Sequence, residues 1–301
     1  MNFDRSAPFD IVIPFRNHPE WLDQCMKSVA IQTEPVRSVT VYDDASDENY
    51  ESRYSGGKVR YIRKPRRTGA LESLKDFHDH LDGNAPGITV ALDGDDCFYS
   101  DDALTAVRSE YARRDTVATY GGAIVLPSGH QFPVHRHDPL IFPRTWSYGH
   151  LMTWRQDLWR LAVERYPKAF IYPEDRPPGY SPSYDVSSFI PMARVAFDEK
   201  WRVRPCFTAN YLWRTHPDNE QTLHRALQLA EERRVFAIVT PKKEESPAAS
   251  GLKSLGDGSG RIVCAHCGIL ITRGSNAQIT DVMGRAHLIA CPVVNARVAL
   301  K

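Results

Sequence analysis

Ile88-Thr89-Val90-Ala91-Leu92-Asp93-Gly94-Asp95-Asp96 decides how this chain is read. A short apolar run ends in three carboxylates packed around one glycine. Carboxylates so close repel one another unless something cationic neutralises them. Hard oxygen ligands suit Mg²⁺ or Mn²⁺, and those ions suit a diphosphate. Asp-Gly is also a strong turn signal, so a plain hairpin turn is the alternative.

Working outward, strands and helices alternate around that stretch. Asp10 to Phe15 reads as a buried strand, and Asn17 as the cap of a helix with Pro19 in its first turn. Trp21, Leu22, Cys25, Met26, Val29 and Ala30 then recur at helical spacing. Ser38–Tyr42, Val59–Ile62 and Ile88–Leu92 read as strands, and Gly69–Leu81 and Asp102–Arg113 as helices. The alternation predicts an α/β domain with a mainly parallel sheet. Ligands bind beyond the carboxyl ends of such strands. Pro14–Asn17, Asp43-Asp44 and Asp93–Asp96 are therefore expected to converge on one crevice.

The stretch from 117 to 216 is less regular and rich in Pro, Trp, Tyr and His, as an acceptor-binding half would be. Pro217–Val239 returns to helical periodicity, and Lys242–Gly260 reads as a flexible linker. The 301 residues are 42% hydrophobic and 25% charged, with a formal net charge of +1. That balance gives no global pull toward nucleic acid or an anionic membrane. No apolar stretch is long enough to span a bilayer. Met1–Arg5 lacks the plan of a signal peptide, so a cytoplasmic location is expected. Reduced thiols follow, with Cys25, Cys97 and Cys206 expected to be buried.

Taken together, Val12-Ile13-Pro14-Phe15-Arg16-Asn17, Ile31-Gln32-Thr33, Val41-Tyr42-Asp43-Asp44-Ala45-Ser46, Gly69 and Leu92-Asp93-Gly94-Asp95-Asp96 resemble a family 2 glycosyltransferase of the GT-A fold. The resemblance covers residues 9 to 240 and is strongest to residue 110. It implies a Rossmann-like, mainly parallel sheet with helices on both faces. It also implies a nucleotide-sugar donor, usually a UDP-sugar, and a divalent metal, Mn²⁺ or Mg²⁺. By resemblance, Pro14, Phe15, Asn17, Arg67 and Gly69 bind the donor and Asp43 reads the base. For Asp43 the alternative is a strand-end carboxylate capping the Asp-Ala-Ser turn. Asp95 would be the direct metal ligand, with Asp93 toward the ribose. His216 would be a metal or phosphate ligand and Arg214 a phosphate clamp; a structural His216 is the alternative. Lys75 stands where the family often has Asn. The run Arg60, Arg63, Lys64, Arg66, Arg67 either contacts a diphosphate or polyanionic acceptor or is a solvated loop.

Inverting members use a carboxylate to take the acceptor's proton. Glu174-Asp175 and Tyr184-Asp185 compete for that role. Asp185 is preferred because a helix-like run follows it; its alternative role is an N-cap. His130, His135 and His137 have no common metal spacing and read as a surface loop. Trp146, Tyr148, Trp154 and Trp159 either stack on an acceptor ring or fill the core.

Near the C-terminus, Cys264-Ala265-His266-Cys267 and His287-Leu288-Ile289-Ala290-Cys291 offer four soft ligands. Cys264, Cys267, His287 and Cys291 form the complement of a structural Zn²⁺ site, with a zinc-ribbon-like segment around it. A metal-free β extension is the alternative. The expected organisation is a glycosyltransferase domain at 1–240 (donor half 1–116, acceptor half 117–240), a linker at 241–260 and a zinc segment at 261–301. The leading expectation is metal-dependent, inverting transfer from a UDP-sugar to an acceptor hydroxyl. A second is transfer to a hydroxymethylated DNA base, and a third is a non-catalytic zinc-bearing binding module.

Overall fold

The computed structural model describes residues 4, 6–81, 87–138, 141–143, 145–172, 183–217 and 224–240, with strands at 252–254, 261–264 and 270–273. The chain runs β1 (Phe9–Phe15), α1 (Pro19–Ala30), β2 (Val36–Asp43), α2 (Glu51–Tyr54), β3 (Val59–Arg63) and α3 (Ala70–Asp79). It continues with β4 (Ile88–Ala91), β5 (Cys97–Phe98), α4 (Ala103–Tyr111), β6 (Thr116–Leu126), β7 (Met152–Arg155) and α5 (Gln156–Arg165). A 3-10 turn at Pro167–Phe170, α6 (Tyr184–Asp198), β8 (Arg202–Arg214) and α7 (Arg225–Val239) follow. Among the described residues no helix is long and apolar enough to cross a membrane.

Strand alternation divides the core. In β1, Ile11 and Ile13 pack with Val39, Val41, Val90 and Leu92 against Leu22, Cys25 and Val29 of α1 and Leu104 and Val107 of α4. Val12 points the other way, with Tyr42 and Ala91, into a cluster built by α3, α5, α6 and α7. Helices therefore cover both faces, as expected. Because both faces are covered, β1 is buried at every position, which is why it reads as an unbroken apolar run. Each fully buried aliphatic side chain there contributes roughly 1.5–3 kcal/mol. Cys25, Cys97 and Cys206 are buried free thiols.

The eight-stranded sheet runs β3-β2-β1-β4-β7-β6-β8-β5. It is mainly parallel, with β7 and β5 running against the other strands. β1 pairs in parallel with β2 and β4, β2 with β3, and β6 with β8. β7 is antiparallel to both β4 and β6, and β5 to β8. The regular strand–helix alternation stops after α4. Beyond it, no crossover helix is needed to bring β7 back between β4 and β6.

Asn17 is not the cap of α1. His18 holds that position in a left-handed conformation with no side-chain cap bond. The Asn17 side chain instead accepts a hydrogen bond from the Asp47 N–H at 3.0 Å, and its own N–H donates to Ser46 Oγ at 2.8 Å. It ties the β1 exit to the β2 exit. In the C-terminal stretch, β9 (Leu252–Ser254), β10 (Arg261–Cys264) and β11 (Leu270–Arg273) form an antiparallel three-stranded sheet. β9 falls inside the stretch read as a linker.

β6 and the segment entering β7 approach backbone to backbone. Gly121 N–H donates to the Gly149 carbonyl at 3.2 Å. A Cβ on Gly149 would land on the Gly121 carbonyl oxygen, and one on Gly121 would lie 3.0 Å from the His150 oxygen. Gly149→Ala should therefore cost about 1–3 kcal/mol, read as a lowered midpoint in urea denaturation followed by circular dichroism.

Candidate active site

The carboxyl ends of β1, β2 and β4 open onto a cavity of about 1060 Å³. Its floor is the 93–96 turn. Asp96 N–H donates to the Asp93 carbonyl at 3.0 Å, and Gly94 N–H to the Pro14 carbonyl at 3.0 Å. A side chain on Gly94 would lie 3.0 Å from Phe15 Cβ and 3.1 Å from the Pro14 oxygen. The glycine is there because two strand exits touch. The turn reading and the site reading of this motif thus both hold: it is a turn, and Asp93 and Asp95 line the cavity.

Each carboxylate of the turn has its own partners. Asp93 accepts from the Tyr184 hydroxyl at 2.7 Å and the Tyr211 hydroxyl at 3.4 Å. Asp96 is buried and accepts the Arg214 backbone N–H at 2.6 Å. Burial first, and the Asp95 charge second, push the Asp93 and Asp96 pKa values up. Asp95 Oδ2 lies 3.0 Å from His216 Nε2. That imidazole packs on Trp21 (ring centroids 4.5 Å), which stacks on His18 at 4.0 Å.

Asp95 and His216 are the pair that can hold a divalent cation. Among the described residues no group of three or more His, Cys, Asp or Glu side chains is placed to do so. Two protein ligands fit Mg²⁺ or Mn²⁺ binding completed by substrate phosphates and water. The mutual repulsion of the turn's carboxylates favours a cation at the same place.

Pro14, Phe15, Asn17 and Arg67 line the cavity. Asp43 does not. It is fully buried, accepting Ser46 N–H at 2.7 Å and the Tyr61 hydroxyl at 2.7 Å, with Arg63 at 3.8 Å. It shares strand parity with Val39 and Val41, whose face is turned away, and it caps the Asp-Ala-Ser turn. Asp44 lines the cavity instead. Its carboxylate is fixed by the backbone N–H groups of Thr68 (2.6 Å) and Gly69 (2.9 Å). Gly69 thus serves the site through Asp44, with φ 93 at the start of α3.

The basic run is mostly committed elsewhere. Arg63 donates to the Ser46 carbonyl at 2.6 Å, and Lys64 is buried against Asp76 at 3.0 Å. Arg60 and Arg66 are exposed. Lys75 pairs with Glu72 at 3.0 Å. Arg214 does not line the cavity as a phosphate clamp would. Its Nε donates to the Asp95 carbonyl at 2.9 Å, its Nη2 to Gln24 Oε1 at 2.7 Å, and its guanidinium lies over Trp21. It ties β8, the 93–96 turn and α1 together.

Across the cavity stands Asp185 in the first turn of α6. Ser183 is the N-cap, so Asp185 is not. Burial pushes its pKa up, and His150, when protonated, opposes this in part. The competing Glu174 and Asp175 lie outside the described residues. Trp154 and Trp159 are core, whereas Trp146 and Tyr148 line the cavity. The histidine cluster is not simply a surface loop. His130 and His135 line the cavity, and His137 packs on Tyr120 and Tyr148, burial pushing its pKa down to about 3. Cys267, His287 and Cys291 lie outside the described residues, and Cys264 is described only as the last residue of β10.

Sequence reasoning missed His150 and Glu232, both on the cavity wall. Glu232 accepts from Thr145 Oγ1 and Trp146 N–H, each at 2.7 Å. His150 sits just before β7. The direction of β7 is the signal that finds it: an antiparallel strand begins where its parallel neighbours end.

The family model described as Glycosyl transferase family 2 matches residues 10–172. Among solved structures, that of S. aureus TarS 1–349 in complex with UDP is 13% identical. It matches 77% of this chain and 65% of its own, with a TM-score of 0.51. A second S. aureus TarS structure is 14% identical, over 77% of this chain and 39% of its own, with a TM-score of 0.52. The mannosyltransferase PcManGT from Pyrobaculum calidifontis, in complex with GDP-Man and Mn²⁺, is 15% identical. It covers 80% of this chain and 67% of its own, with a TM-score of 0.50. The chain thus spans less than two thirds of either TarS chain, and at these identities the likeness is one of fold. Comparison with curated proteins by sequence gives no match.

Arg214→Lys retains the charge but cannot bridge the Asp95 carbonyl and Gln24 with one planar fork. It should cost about 1–3 kcal/mol, measured as lost stability in urea unfolding.

Proposed function

From membership of glycosyl transferase family 2, to which this chain belongs, we propose that it transfers a sugar from a UDP-sugar to an acceptor hydroxyl with inversion, assisted by Mn²⁺ or Mg²⁺. One observation carries the reading: Asp95 and His216, side by side at 3.0 Å, and a half-buried carboxylate, Asp185, line the same cavity. The UDP complex of TarS and the GDP-Man and Mn²⁺ complex of PcManGT support a nucleotide-sugar donor and a divalent metal.

Each residue then has a task. Asp185 takes the acceptor hydroxyl's proton as its oxygen attacks the anomeric carbon. The bond from that carbon to the diphosphate breaks on the opposite face. Asp95 and His216 would hold the metal, which when bound supplies positive charge against the leaving diphosphate. Asp93 faces the ribose, its orientation held by Tyr184 and Tyr211. Asp44 replaces Asp43 as the base reader in this proposal. A carboxylate has about four acceptor sites, and the bonds from Thr68 and Gly69 leave room for a uracil N–H. Trp146 and Tyr148 form part of the acceptor wall. The acceptor is specified here only as a hydroxyl, because no observation favours a hydroxymethylated base over another. The tail keeps its proposed role as a structural zinc segment on ligand spacing alone.

Asp95→Asn keeps the shape and loses the charge. Mn²⁺-dependent UDP binding should weaken by about 100-fold or more, measured by titration calorimetry with and without Mn²⁺; unchanged binding would remove Asp95 from the metal site.

Asp185→Asn should slow Mn²⁺-dependent hydrolysis of the donor, with water as acceptor, by about 10²–10⁴. UDP affinity should stay the same. The base works ionised and burial raises its pKa. Activity is therefore present above that pKa and lost as pH falls through it. The acid limb of kcat/KM should lie above the ordinary aspartate value of about 3.9, and Asp185→Asn should abolish that limb. Full activity in this variant would point to another carboxylate.

A further inference from the structure

His150 has no task in the reaction above, yet it stands beside the reacting groups. The Gly121–Gly149 contact immediately before it fixes its backbone. Its ring lies on Tyr211, centroids 4.9 Å apart and planes inclined by 19°. Tyr211 in turn donates to Asp93. The side chain lines the cavity together with Asp93, Asp95 and Asp185. Asp185 and Asp95 both lie near enough to act electrostatically on its protonated form.

The ring's chemistry is constrained. Burial lowers its pKa, so it is neutral at neutral pH. A neutral imidazole has one N–H. Nδ1 is sealed from solvent and has no hydrogen-bond partner among the described residues. A buried orphan donor is the rarer and costlier case, so the proton belongs on Nε2. That is the nitrogen this half-buried ring has left to offer the cavity.

We propose that His150 Nε2–H donates a hydrogen bond to a hydroxyl of the sugar being transferred. The inference rests on the glycosyl-transfer reading above. In an in-line displacement the sugar lies between its diphosphate, near Asp95, and the base, Asp185. His150 lines the same cavity as both. A neutral donor suits a neutral hydroxyl, whereas a phosphate there would call for a cation.

Titration calorimetry with Mn²⁺ present tests this, using UDP, UDP-glucose, UDP-galactose and UDP-N-acetylglucosamine. His150→Phe keeps a flat ring on Tyr211 and removes the donor. His150→Gln brings an amide N–H close to the Nε2 position, and His150→Asn, which stops short of it, is a second loss variant should the Phe variant not fold. UDP affinity should change by less than about twofold in all three. Affinity for the preferred sugar nucleotide should fall about 3- to 10-fold in the Phe and Asn variants and recover in Gln. Equal sugar-nucleotide affinity in wild type and the loss variants, with UDP binding intact, overturns the assignment. So does an equal loss for UDP and UDP-sugar, which would make His150 a support for the Asp93 wall. Wild-type protein that binds none of these nucleotides with Mn²⁺ overturns the glycosyl-transfer reading itself, and this inference with it.

Discussion

The carboxylate turn at Asp93–Asp96 organises the site, burial weighing on its charges first and mutual repulsion second. These side chains sit on one tight turn, and the surrounding protein raises the pKa values of Asp93 and Asp96. Such a turn persists only because other elements supply compensating donors. β8 gives a backbone N–H to Asp96 and a guanidinium to the Asp95 carbonyl. α6 and β8 give phenol hydroxyls to Asp93. The segment after β8 brings His216 to Asp95. Elements more than ninety residues away in sequence are thus pinned to the end of β4. The pinning is incomplete in charge, and that residue of negative potential suits a divalent cation and its diphosphate.

Much of the stretch up to residue 116 was legible in the chain because both faces of the parallel strands are covered. Buried strands write themselves as apolar runs, and β1, β2 and β4 fall within two residues of their expected ends. Convergence of Pro14–Asn17 with Asp93–Asp95 followed from strand direction alone. The Asp43–Asp44 distinction did not, although parity with Val39 and Val41 contains it. A strand-end carboxylate can serve its own turn or the ligand, and only the positions of Tyr61 and Ser46 decide between them.

The stretch beyond residue 116 was less legible for a different reason. Sequence alternation predicts parallel pairing, but β7 enters antiparallel between β4 and β6. That reversal carries His150 to the ligand end of the sheet, where no motif marks it. Arg214 shows the opposite failure. It stands in a string that resembles a phosphate-binding segment, yet its guanidinium is spent on Asp95 and Gln24. A motif locates a side chain along the chain; the hydrogen bonds around it decide its task.

Tyr184 and Asp185 are neighbours at the start of α6, and Tyr184 grips Asp93 on the donor side. Anything that engages the Asp93 carboxylate competes with that phenol for its lone pairs. A single peptide unit in the first turn of α6 therefore separates the phenol bound to Asp93 from Asp185. What occupies the lone pairs of Asp93 and where Asp185 stands are thus tied to one turn of helix.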